Sequence, residues 1–323
     1  MKVRGGRLNW LVTLGLLLLC SSTAIYGQAP KKSVDLALEM AKLAREFDGA
    51  LGVYAKELNG GKEFAYHADD PFATASLFKL PVMVELFRRV EAGEVSFAKR
   101  LKPPETGISR HGTGLIRSLK DQPEFTLRDY CRLMIIFSDN IATDTLMQII
   151  TPQSVTATMK ELGFPHTRVS GNCTLMHYRM YGIESPVGSA ENDQILVSRV
   201  IADRRVPAGF ADRSLNGNVT TPREIGLLFE RLYRGQVVSS SASAQMLEIL
   251  KETTSRKMAS SLPSVIEVAH KVGSTKGVST DAGIIYMPKK PIVLSLFTYS
   301  ETADARAGKL IADIGKLVAE EFP

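Results

Sequence analysis

The sequence predicts an α+β fold, an α/β sandwich in which an antiparallel sheet built from both chain ends is flanked by helices and interrupted by an all-helical subdomain. Three observations carry this expectation. Alternating apolar residues cluster near the two ends, at Leu51, Val53 and Ala55 and again within 265–272, 282–287 and 292–299. Between about 74 and 235 the apolar period is mostly helical. Amphipathic stretches outside the strands supply helices to cover the sheet.

Taken in order, Ser33 can cap a helix with apolar positions Leu36, Met40, Leu43 and Phe47. The strand at 51–55 turns at Asn59-Gly60-Gly61 and returns through Phe64 and Tyr66, a β-hairpin. The sheet layer covers about 28–70 and 236–323, and the helical layer about 71–235. Within the helical layer, Thr126 with Asp129 forms a capping box before Leu127, Cys131, Met134 and Phe137, and Asn140 can start the next helix. Thr221-Pro222-Arg223-Glu224 is a second start, with a cap hydroxyl, proline at the first helical position and a glutamate at the third. The stretch 164–219 lacks comparable periodicity and reads as an extended loop or insertion. A final helix carries Ala307, Leu310, Ile311, Ile314, Leu317 and Val318 on one face.

With 323 residues and 44% hydrophobic content, the chain can bury a large core. Lys2, Arg4 and Arg7, a short apolar run from Trp10 to Leu19 and small polar residues up to Gly27 have the layout of a signal peptide, 1–27, leaving 28–323 exported to the periplasm or medium. The apolar run is too short for a stable membrane span, and Cys20 as a lipid anchor is the weaker reading because Leu19 precedes it. Cleavage removes three basic residues, so the net charge of +6 falls by three and gives no case for nucleic acid. Cys131 and Cys173 read as buried free thiols, although a bridge between them stays open. No Cys-x-x-Cys, His-Glu-x-x-His or Gly-x-x-x-x-Gly-Lys-Ser/Thr occurs, which argues against a common zinc or phosphate site.

The chain is organised around Thr74-Ala75-Ser76-Leu77-Phe78-Lys79, where a hydroxyl and an amine stand one turn apart at a helix start. A desolvated amine can lose its proton and activate such a serine. The spacing alone is weak, since Ser96-Phe97-Ala98-Lys99 repeats it. Context separates the two copies. Ser138-Asp139-Asn140 follows Ser76 at the junction of two helices, and His270-Lys271-Val272-Gly273-Ser274 lies at the end of a late strand.

In that order, these motifs resemble the penicillin-recognising serine hydrolases, most closely the class A β-lactamases, from about residue 33 to the C-terminus. The resemblance implies Ser76 as nucleophile and Lys79 as its base. It implies an oxyanion hole from the N–H groups of Ser76 and Ser274, with Gly273 and Thr275 beside it. Ser138 would relay a proton to the leaving nitrogen, Lys271 would keep the potential positive, and Asn140 would orient the acyl side chain. No metal or organic cofactor is implied. The implied partner is a β-lactam or a D-alanyl-D-alanine peptide, handled by a monomer. Turnover would make it a β-lactamase; the alternatives are a D-alanyl-D-alanine peptidase, a related esterase, or a penicillin-binding protein that stays acylated.

Two departures bear on the choice. Val272 replaces the usual hydroxyl between lysine and glycine; Ser274 or Thr275 can supply one instead, although Thr275 is no direct stand-in because neighbouring strand residues alternate faces. The Glu-x-x-Leu-Asn motif that activates the deacylating water in class A enzymes is not intact. Asp212-Arg213-Ser214-Leu215-Asn216 echoes it with a shorter carboxylate, which makes Asp212 the candidate base, with Glu184 and Glu191 as other carboxylates in the stretch. Some family members carry a disulfide half seven residues before Ser138, as Cys131 is, but the partner position holds Met83.

Overall fold

A computed structural model describes residues 35–322 apart from 109–110, 122, 207–216, 289 and 303, all within the unit Val34–Pro323. The expected signal peptide with Cys20, and Ser33, lie outside the described residues. The first helix, α1 (Leu36–Phe47), is capped by Asp35, whose carboxylate accepts from the N–H groups of Ala37 and Leu38.

The hairpin forms as β1 (Ala50–Glu57) and β2 (Glu63–Tyr66), and the late strands as β7 (Val268–Thr275), β8 (Val278–Ile285) and β9 (Ile292–Tyr299). Together they make one five-stranded antiparallel sheet in the order β2-β1-β9-β8-β7, with β1 paired to β9 from Ala50↔Tyr299 to Glu57↔Ile292. Because strand side chains alternate, this register sorts the core into two layers. Leu51, Val53 and Ala55 with Ile292, Leu294 and Leu296 face α1 and α10 (Asp304–Glu321), where Ile311, Ile314 and Val318 are buried. Tyr54, Val293 and Phe297 face the other way, into the helical layer. That layer holds α2 (Lys79–Glu91), α3 (Leu127–Ile136), α4 (Asn140–Leu146), α5 (Pro152–Glu161), α6 (Cys173–Met180), α7 (Ala190–Ile201), α8 (Pro222–Tyr233) and α9 (Ser240–Lys251). Two short ribbons tie it together: β3 (Phe72–Ala73) with β6 (Val219–Thr220), and β4 (Arg100–Leu101) with β5 (Phe125–Thr126).

Residues from Lys79 to Phe87 are buried, which makes α2 the spine of the helical layer. A helix so enclosed must satisfy its one buried acid internally. Glu85, fully buried, accepts from Arg88 Nε, Arg89 Nε and Thr158 Oγ1, each at 2.7 Å. Burial opposes its charge, but the hydrogen bonds from Arg88, Thr158 and Arg89 prevail and hold the carboxyl down at about 2. A depressed folded-state value stabilises the fold above the unfolded carboxyl value and loses that contribution as pH falls toward 2. Glu85→Ala is therefore expected to lower stability by about 3 kcal/mol at neutral pH. Urea unfolding of both proteins checks this: the gap should close between pH 4 and 2, and a pH-independent gap would remove the ionic account.

Three elements differ from the sequence expectation. The stretch 164–219 is not a bare loop. It holds α6 and α7, started by the side chains of Asn172 and Ser189, which accept from Leu175 N and Asn192 N. Their apolar residues do not join the main core as a stripe; Tyr178, Tyr181, Ile183 and Leu196 form a small cluster of their own. Strand β7 begins at Val268 and runs to Thr275, so Lys-Val-Gly lies inside the strand rather than at its end. The polar run Gly273-Ser274-Thr275 hides the strand from an apolar-period reading. It is held by pairing with β8 across the tight turn at Gly277, whose φ of +76° suits glycine. Finally, α9 occupies part of the segment assigned to the sheet layer.

Candidate active site

Ser76 sits half-buried in a 3-10 turn, Ala75–Phe78, that runs directly into α2. The turn is pinned from three sides. Thr74 N donates to Asn218 O (3.0 Å), and Thr74 O accepts from Leu77 N (3.0 Å) and Thr280 Oγ1 (3.1 Å). Ala75, just before the serine, adopts φ +44°, a left-handed conformation that costs an L-residue energy and is retained only where surroundings enforce it. Strand β7 comes equally close. A Cβ at Gly273 would lie 2.4 Å from Thr280 Oγ1, 2.5 Å from Thr74 O and 3.0 Å from Leu77 N, so only glycine lets β7 lie against the turn. Ser76 Oγ makes no hydrogen bond among the described residues.

Three of the motif groups converge on Ser138. Its backbone is also left-handed, at φ +54°, between α3 and α4. Lys79 Nζ donates to Ser138 O (2.6 Å), Ser138 Oγ (3.2 Å) and Asn140 Oδ1 (2.8 Å). Lys271 Nζ reaches the same Ser138 Oγ at 3.1 Å and Val272 O at 2.8 Å. Both lysines are fully buried. Burial lowers the pKa of Lys79, against the opposing pull of Cys173, Asp144 and Asp139. Burial lowers that of Lys271 further, with Lys79 and Lys257 adding and Asp281 opposing. Two buried amines sharing one hydroxyl cannot both hold a proton cheaply, which favours the neutral, basic form of a lysine. The rival Ser96 lies in a turn after α2, where its Oγ accepts from Ala98 N. It meets none of these partners.

Buried carboxylates brace the site rather than line it. Asp139 caps α4 through Ala142 N and takes Leu115 N and Ile116 N, fixing the loop that carries His111 and Gly112. Asp144 accepts from Cys173 N (2.7 Å), Thr174 N (2.9 Å) and Thr174 Oγ1 (2.6 Å), so it holds the first turn of α6. Its own carboxyl is raised to about 6 because burial outweighs those hydrogen bonds and Lys79. Cys131 and Cys173 are both buried and unbridged, and burial pushes both thiols up, Cys131 to about 12. Neither is a nucleophile at neutral pH. Asp212 lies outside the described residues.

The Beta-lactamase enzyme family matches residues 35–322. The chain belongs to that β-lactamase family. It is a class A-like serine hydrolase by kinship. A β-lactamase of Streptomyces fradiae is 24% identical over 300 residues, covering 90% of this chain and 88% of the relative. The β-lactamase of Sphaerobacter thermophilus superposes with a TM-score of 0.73 at 24% identity, over 90% of this chain and 98% of that one. PBP-A gives 0.71 at 21% identity over 89% and 96%, and a mutant of it is described as an acyl-enzyme complex with penicillin G.

Near Val272, where the family's usual hydroxyl is missing, the structure places a residue that the motifs did not flag. Lys257, in the 3-10 turn Lys257–Ala259, donates to Ser274 Oγ (2.7 Å), Ser279 Oγ (2.9 Å) and Gly273 O (3.2 Å). It puts a cation and two hydroxyls at the edge of β7 next to Ser76's turn. No local pattern marks it, because it is brought in by a loop. That loop is held by a buried pair: His270 Nδ1 meets Asp281 Oδ1 at 2.8 Å, His270 Nε2 meets Ser255 O at 2.6 Å, and Met258 N donates to Asp281 Oδ2 at 2.8 Å. On the other flank, a cavity of about 290 Å³ runs from Ala75 and Thr275 to Met176, Arg179 and Met180 of α6.

Proposed function

We propose that this enzyme is an exported, monomeric β-lactamase that opens the lactam amide through an acyl-enzyme at Ser76. The observation that carries the reading is Ser138 Oγ, which receives hydrogen bonds from Lys79 and Lys271 at once. In this reading neutral Lys79 takes the Ser76 proton as Oγ attacks the lactam carbonyl. The N–H groups of Ser76 and Ser274 stabilise the oxyanion on the rigid turn and strand that Gly273 brings together. Collapse breaks the C–N bond, and Ser138 passes a proton to the nitrogen, resupplied from Lys79, while Lys271 keeps the surroundings positive. Asn140 orients the acyl side chain. Lys257 with Ser274 and Thr275 receives the carboxylate that most β-lactams carry. A base within 164–219, where Asp212 was read from the sequence, then activates the water that frees Ser76.

The test mixes the purified protein with a chromogenic cephalosporin and, separately, a fluorescent penicillin, and maps the adduct by peptide mass. Sustained hydrolysis with a transient adduct on the peptide carrying Ser76 is the expected result. Permanent stoichiometric labelling would make the protein a penicillin binder instead, and an unlabelled Ser76 would end the reading.

A further inference from the structure

The Asn140 amide can be placed only one way round. Lys79 Nζ only donates, so the atom 2.8 Å from it is Oδ1, and His111 O only accepts, so the atom 3.2 Å from it is Nδ2. Where the Nδ2 hydrogens point is therefore set by the carbonyl of His111.

That carbonyl is held from both directions along the chain. Downstream, Asn140 N donates to Thr113 O (3.1 Å), Thr113 Oγ1 donates to Ser138 O (2.7 Å), and Leu115 N and Ile116 N donate to Asp139 Oδ2 (2.6 and 2.9 Å). Upstream the anchor lies in α7. Gly107 N donates to Asp193 Oδ2 at 2.9 Å, and the Tyr178 hydroxyl of α6 donates to Asp193 Oδ1 at 2.6 Å. The same hydroxyl accepts from Ser189 N at 3.2 Å, so α6, the start of α7 and Gly107 meet at one carboxylate. The backbones touch there. A Cβ on Gly188 would collide with Gly107 O, and Gly107, left-handed at φ +73°, would put its own 3.0 Å from Gly188 O, so this approach requires both glycines. Asp144 of α4 clamps the first turn of α6 in turn. The bonds close a ring that runs from Asn140 at the head of α4 through Asp144, α6, Tyr178, Asp193, Gly107 and His111, and back to Asn140.

We propose that Asp193 is a positioning residue for recognition of the substrate's acyl amide. By fixing Gly107 it holds His111 O, and with it the Asn140 amide that meets the carbonyl of an acylamino arm. The inference deepens the reading in which Asn140 orients the acyl side chain, and rests on it. It names a substrate class: lactams that carry an acylamino arm depend on the ring, and the same nucleus without the arm does not. A merely structural Asp193 would affect both alike.

The experiment compares benzylpenicillin, which has an acylamino arm, with 6-aminopenicillanic acid, the same nucleus with a bare amine. Both kcat and KM are measured on the full chain as wild type, Asp193→Ala, Asp193→Asn, Gly188→Ala, and Asn140→Ala with and without Asp193→Ala. Rates are referred to the sites that penicillin labels, which counts folded protein only. Asp193→Ala and Gly188→Ala should each raise KM for benzylpenicillin about three- to tenfold, the worth of one hydrogen bond, while kcat and the bare-amine lactam change by less than about twofold. Asp193→Asn keeps an oxygen for Gly107 N and can donate to the Tyr178 hydroxyl, so it should restore KM. Once Asn140→Ala is present, Asp193→Ala should add nothing. Equal losses on both lactams, no loss on either, or an undiminished loss in the Asn140→Ala background overturns the proposal. A wild type that neither labels nor hydrolyses would sink the acyl-enzyme reading, and the proposal with it.

Discussion

Ser76→Ala is expected to abolish penicillin labelling and to lower β-lactam hydrolysis by about 10⁴–10⁶-fold, with Lys79→Met nearly as damaging. The two changes remove parts of one unit, so the double variant should lose little more than either alone. Methionine matches lysine in length and tolerates burial, whereas it cannot take the proton of Ser76. The pH dependence follows from the sign of the shift. Burial favours the neutral amine of Lys79, so acylation is expected to rise as pH climbs through the lowered Lys79 pKa and to fall below it. The residual acylation of Lys79→Met should lack that limb. Rapid-quench mass spectrometry across pH reads both quantities. An Ser76→Ala protein that still labels, or a Lys79→Met protein within tenfold (about 1.4 kcal/mol) of wild type, would remove the assignment.

Asp281→Ala is the largest expected loss of stability. Asp281 is fully buried, and truncating it strands His270 and Met258 N without their acceptor. Breaking one member of a buried pair costs about 3–5 kcal/mol, a fall in Tm on the order of 10 °C. The same cut loosens the segment that holds Lys257 at Ser274. In the protein that remains folded at low temperature, KM for carboxylate-bearing β-lactams should rise about tenfold, consistent with loss of one ion-paired contact, while kcat changes little. Lys257→Ala should reproduce the KM effect without the loss in Tm. A melting point for Asp281→Ala within about 2 °C of wild type would contradict the account of the buried pair.

What the sequence made legible was what local chemistry decides. The Thr126 box, the Thr221-Pro222 start and the final stripe from Ala307 to Val318 formed as read, because caps and periodicity act within a few residues. The motifs that begin at Ser76, Ser138 and Lys271 contain the two lysines, Lys79 and Lys271, that meet at the Ser138 hydroxyl. Helices α6 and α7 escaped notice because their apolar residues pack on one another in a side cluster rather than on the main core. Strand β7 was read too early because its second half, Gly273-Ser274-Thr275, is polar and lies at the sheet edge. Lys257 was invisible because it sits in no motif and is held beside Ser274 by a segment that Asp281 of β8 ties down.

The pairing of β1 with β9 has a consequence for the life of the chain before it folds. The centre of the sheet joins residues 50–57 to 292–299, so almost the entire polypeptide must exist before the central ladder can close. Contacts that distant in sequence form slowly, since the intervening chain must surrender its freedom first. The platform beneath Ser76 depends on that ladder through β8 and β7. The central sheet of such a chain stays open while the chain is being made, and the strand that lies against the Ser76 turn is held in place only once the two ends have met.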